Sequence, residues 1–262
     1  MVELLFLPAL LGYGEAALAF AGDARHPGRV GTFGLWGVRI GWLAQTALIA
    51  AQVASNGGFP WDTWAGSLNL FVWLLVGAYL VWGCRARYRL LGLAVMPFAA
   101  GLLLTAWLAG AAEATGRSPY SNAFLAFHVG FVLLAFAGFT VASAMSALYL
   151  FEERRLKRRR PSSLFGRAPS LVVLDTLAAR TVLFSLFCLA AGVALGLARL
   201  EGEGGGFDAL MGATLATAGV YAAYLVLRVE AGWRGHRAAY LALAGFALVV
   251  VARLALSLTH FS

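Results

Sequence analysis

Eight apolar stretches punctuate the chain, at 3–22, 33–55, 64–83, 90–112, 122–150, 179–199, 207–227 and 238–259. Most reach about 20 residues, the length an α-helix rising ~1.5 Å per residue needs to cross ~30 Å of hydrocarbon. Water is absent from a bilayer core, so backbone polar groups there must pair internally, which leaves helices or a closed barrel. A barrel would read as short alternating segments, whereas these runs are long and continuous. The expected fold is therefore all-α, a polytopic transmembrane helix bundle of about eight spans forming a single transmembrane domain over 1–262. The first stretch has Glu3 where a signal peptide carries basic residues, and it continues Gly/Ala-rich through Gly22, so it counts as span one.

Composition excludes a soluble alternative. The chain is 61% hydrophobic and 12% charged, with mean hydropathy +0.80, against roughly 45–50% and 25% in soluble domains. A net charge of +8 would suit nucleic acid only as a basic face on a soluble surface. Here the cations sit in short loops between apolar runs, so no nucleic acid partner is expected. Cys84 and Cys188 form no CxxC pair and point to no thiol or metal chemistry.

The loops alternate in charge, which sets orientation because Lys and Arg near span ends are retained on the cytoplasmic side. Four loops are basic: Arg25 and Arg29; Arg85, Arg87 and Arg89; Arg154 to Arg160 with Arg167; and Arg228, Arg234 and Arg237. The loops between them, with Asp62, with Glu113 and Arg117, and with Glu201, Glu203 and Asp208, lack that excess. Both termini are therefore expected outside. The longest connection, 152–178, has too little apolar surface to fold alone. It reads as a basic cytoplasmic link between spans five and six, either anchoring the chain at anionic membrane lipid or meeting a cytoplasmic partner.

Ionisable groups inside spans are costly and so are candidates for function. Glu15 precedes the cytoplasmic end of span one by about seven residues and Arg39 follows the start of span two by about six, giving them similar depth. An ion pair is expected, as a clamp between antiparallel helices or a part of ligand chemistry. Arg253 lies two helical turns before His260, which returns the two to nearly one face. It either snorkels or pairs with a carbonyl, or it holds an anionic group. His26 and His236 fall in basic loops. His128 opens span five and His260 closes span eight, both at the outer interface. Two imidazoles at one depth suit the axial positions of a haem iron; interfacial histidines bonded to water or backbone are the alternative. Phe59, Trp61 and Trp64 fall on the same outer side, as interfacial anchors or as rings against a flat macrocycle.

No HExxH, Gly-x-Ser-x-Gly or phosphate-cradling glycine motif is present. No catalytic residue is expected, and any chemistry would be the cofactor's. The paired broken helices of an internal transporter repeat are likewise missing.

The segment GGFPWDTWAGSLNLFVWLLVGAYLVW, the helix HVGFVLLAFAGFTVASAMSALYLFEERRLK and the closing GWRGHRAAYLALAGFALVVVARLALSLTHFS together resemble the cytochrome c assembly membrane family, which includes CcsA-type proteins, CcmC and HemX. The closing stretch, with Gly232-Trp233-Arg234-Gly235 and then His260, is the most specific. The resemblance implies a multi-pass protein of the plasma (inner) membrane that binds or handles haem in cytochrome c biogenesis. It implies b-type, non-covalent haem with His128 and His260 as ligands, and partners among other assembly proteins or a haem-biosynthesis enzyme. Two departures stand out: the place of the family's tryptophan-rich segment, 201–220, has no Trp, and Val226 falls near where CcsA-type proteins carry a further histidine. They turn the alternative toward a HemX-like, non-enzymatic regulator or scaffold of haem biosynthesis instead of a cytochrome c synthase.

Overall fold

A computed structural model describes residues 3–25, 28–56, 63–83, 86–111, 122–158, 169–203 and 209–259, with only the backbone described over 251–259. Eight α-helices are present: α1 (Phe6–Arg25), α2 (Val30–Asn56), α3 (Trp64–Gly83), α4 (Gly92–Leu108), α5 (Asn122–Lys157), α6 (Leu171–Glu203), α7 (Ala209–Glu230) and α8 (His236–Thr259). Short 3-10 turns at Glu3–Leu5 and Ala86–Leu91 precede α1 and α4. There is no strand among the described residues. The protein is thus an all-α membrane bundle. Five helical stretches are long and apolar enough to cross a bilayer, Trp64–Val81, Tyr88–Leu108, Ala126–Lys157, Leu171–Ala198 and Met211–Glu230.

The helices group into two compact units. The first holds 1–129 with 160–169, and the second 130–159 with 170–262. Helix extends into the connection over 152–178 from both sides. α5 continues to Lys157, carried by the (i, i+4) pair between Glu153 and Lys157 at 2.9 Å and by basic residues in its last turn, which oppose the helix dipole favourably. α6 starts at Leu171 because Ser170 caps it: the Ser170 hydroxyl accepts from the Val173 N–H at 3.4 Å and the Ser170 carbonyl from the Leu174 N–H at 3.0 Å.

In the first unit α1 and α2 approach at backbone distance. A Cβ on Gly12 would stand 2.7 Å from the Gly37 carbonyl and 2.9 Å from the Gly41 Cα, so no larger residue fits there. Close approach through small residues is what binds helices when lipid removes any hydrophobic advantage. α4 seats against α1 in the same manner, Gly92 lying under the Phe20 ring and the Tyr79 hydroxyl.

The second unit is built around stacked rings. Phe139 of α5 and Tyr221 of α7 lie 3.8 Å apart and 2° from parallel. The Tyr221 hydroxyl donates to the Ala242 carbonyl of α8 at 3.2 Å, and the Ser143 hydroxyl reaches the same oxygen at 3.3 Å. Cys188, Leu189 and Val182 of α6 complete the buried cluster.

Candidate functional site

The outer residues singled out from the sequence divide by what the structure describes. Phe59, Trp61 and His260 lie outside the described residues. Arg253 sits within α8, where only the backbone is described. Trp64 is the first residue of α3 and 42% exposed. Its position is set by Thr63, whose hydroxyl accepts from the Gly66 N–H at 3.0 Å and whose carbonyl accepts from the Ser67 N–H at 3.0 Å. That cap starts the helix at the polar end of an apolar run, leaving the indole exposed at the start of α3.

His128 stands in the second turn of α5, half-buried, among residues that belong to the first unit. Imidazole nitrogen is a ligand that haem iron accepts, and an indole at a helix mouth is a ring against which a macrocycle packs. Of the two, His128 alone carries a donor that haem iron takes.

The first unit brings Glu15 and Arg39 onto its tightest helix pair. The Glu15 carboxylate occupies the space beside Gly37 that a side chain there would need. The Arg39 guanidinium lies 5.2 Å from the centre of the Trp36 ring, a cation–π distance.

Three arrangements escape a search confined to ionisable residues within spans. The first joins neutral groups in the first unit. The Tyr13 hydroxyl donates to Gln45 Oε1 at 2.6 Å, and Gln45 Nε2 donates to Asn69 Oδ1 at 2.8 Å and to the Asn69 carbonyl at 3.0 Å. All three residues are fully buried. The second is an indole pair, Trp42 and Trp73, stacked at 5.6 Å; Trp42 Nε1 donates to the Trp73 carbonyl at 3.0 Å and Trp73 Nε1 to the Thr46 hydroxyl at 2.8 Å. Trp42, Gln45 and Thr46 fall at i, i+3 and i+4 on one face of α2, which marks that face as polar without naming its partners.

The third is an ionic clamp in the second unit. Arg228 at the end of α7 donates to both carboxylate oxygens of Asp175 at 3.0 and 2.6 Å, and the Gly235 N–H donates to Asp175 Oδ1 at 2.9 Å. Gly235 has φ +66° and packs on the Tyr149 hydroxyl, so a Cβ would be strained by both backbone and contact. The turn joining α7 to α8 is thereby tied to the first turns of α6. Its cue was Asp175, the one carboxylate between Glu153 and Glu201 in the sequence.

The pattern of the Cytochrome C assembly protein family matches residues 61–261. The chain belongs to this family. Protein HemX of Brevibacillus brevis is 29% identical over 60% of the chain and 58% of its own length. The Cytochrome c biogenesis protein CcsA of Gloeothece citriformis is 26% identical over 86% of the chain and 84% of its own length. The protein of that name from Microcystis aeruginosa is 26% identical over 97% and 91%. The last alignment runs over 305 positions against a chain of 262 residues, so that relative carries segments without a counterpart here. No solved structure matches.

Proposed function

We propose that this family member handles haem at the outer face of the plasma membrane during cytochrome c biogenesis, with His128 and His260 as the two axial ligands. Arg253 balances a propionate, and Phe59, Trp61 and Trp64 wall the pocket. Both termini lie outside in this reading, and the Glu15–Arg39 pair acts as a clamp within the α1–α2 pair. The observation that carries the reading is the family match over 61–261, which spans both histidines, together with the charge alternation that assigns both to one side. The haem is held non-covalently, b-type, because no cysteine lies near either histidine in sequence. When bound it supplies the iron; the chain supplies two imidazoles, a counter-charge and an apolar wall.

The test is the absorbance of detergent-purified protein, oxidised and reduced, after haem supplementation, in wild type, His128→Ala and His260→Ala. A Soret band that shifts or disappears in both variants is the expected result. A folded wild type without a band removes the site.

A second reading has its own observation, the 29% identity to HemX. Here the chain is a non-enzymatic regulator or scaffold whose basic segment after α5 meets a cytoplasmic partner, such as a haem-biosynthesis enzyme or another assembly protein. It predicts no haem band, and co-purification with a partner that is lost when the basic segment is neutralised.

A further inference from the structure

The start of α6, the end of α7, Tyr149 of α5 and the turn before α8 line an open cleft of about 560 Å³. Its polar lining is already partly consumed. The carboxylate of Asp175 is matched by the Arg228 guanidinium and the Gly235 N–H, so the pair contributes little net charge. Arg234 lines the same cleft, is exposed, and makes no hydrogen bond or ion pair among the described residues; its charge reaches Asp175 only through space. The cleft therefore carries one uncommitted positive charge above a neutralised pair, with the Thr176 hydroxyl beside it.

The other wall is apolar. Val172, 75% exposed, lines the cleft and belongs to the first turn of Leu171–Ala198, a stretch long and apolar enough to span a bilayer. A cleft at the end of a span, with an arginine on one side and a bare valine on the other, lies at the depth of lipid headgroups. A free Arg guanidinium is suited to a phosphate oxygen pair. A soluble phosphate would have no use for Val172, whereas a lipid would lay its acyl chain along it.

We propose that this cleft binds the phosphate headgroup of an acidic phospholipid, Arg234 engaging the phosphate and Val172 receiving the start of an acyl chain. Arg154, Arg155 and Lys157 in the last turn of α5 raise the local concentration of anionic lipid, but the specific contact is with Arg234. The site is independent of the haem reading, since none of its residues is a proposed haem contact.

Native mass spectrometry of the full-length protein in detergent, titrated with phosphatidylglycerol or phosphatidylcholine, tests it. Phosphatidylglycerol is expected to be retained over phosphatidylcholine, and Arg234→Ala to reduce its retention roughly fivefold, the effect of one arginine at an anionic surface. Arg155→Ala removes the same charge outside the cleft and is expected to leave retention near wild type. Val172→Asp, at an exposed position, is expected to weaken retention without altering the melting temperature. Equal losses in Arg234→Ala and Arg155→Ala overturn the site in favour of diffuse attraction. Displacement of the lipid by an equal concentration of inorganic phosphate overturns the lipid as the source of the phosphate.

Discussion

The two compact units differ in the kind of polar group that their clearest polar contacts join. The first buries neutral ones: Tyr13, Gln45 and Asn69 are each fully enclosed and bonded in sequence across α1, α2 and α3. The second places a charged pair at helix ends, where Asp175 and Arg228 keep 12% and 16% of their side chains accessible. Neutral amides and hydroxyls lose little on leaving water once each finds a partner. A lone charge loses far more. The interior of a helix bundle therefore tolerates Gln45, while Asp175 stays near the boundary and is neutralised at once by Arg228 and an N–H.

This contrast implies an order of fragility. Asp175→Ala should cost the most, about 3 kcal/mol, because it strands a mostly buried guanidinium and frees the turn before α8. Thermal unfolding in detergent would measure it, and the paired change Asp175→Leu with Arg228→Met should recover much of the loss. If the double variant is as unstable as the single one, charge is not what distinguishes the second unit. Gln45→Leu should cost about 1–2 kcal/mol, leaving the Tyr13 hydroxyl and the Asn69 amide without their shared partner. A cost above that of Asp175→Ala would invert the comparison. Tyr221→Phe should cost least, about 0.5 kcal/mol, because the Ser143 hydroxyl still donates to the Ala242 carbonyl and the stacked ring remains. A larger loss would show that hydroxyl bonds in the second unit matter as much as amide bonds in the first.

Much of the architecture was readable beforehand for a simple reason: the bilayer imposes one length and one secondary structure on any apolar run that crosses it. The eight expected stretches each correspond to a helix. The helices and the apolar stretches part company at the water boundary, where α5 runs on to Lys157 and α6 begins at Leu171. Hydropathy marks where lipid ends; capping by Ser170 and the Glu153–Lys157 pair decide where the helix ends. Of the candidate site, the structure describes Trp64 at the start of α3 and His128 in the second turn of α5.

The partnerships were a different matter. Gln45 meets Asn69 across 24 residues, and Asp175 meets Arg228 across 53. Nothing in the spacing of either pair distinguishes it from other polar residues in the same helices. The sequence by itself determined the helical class and the alternation of charge between loops, because both follow from local composition, and its motifs carried the resemblance to the family. Tertiary structure alone decided the two units, the glycine-tight α1–α2 pair and the clamp that leaves Arg234 as the cleft's uncommitted charge, because these depend on which helix faces meet.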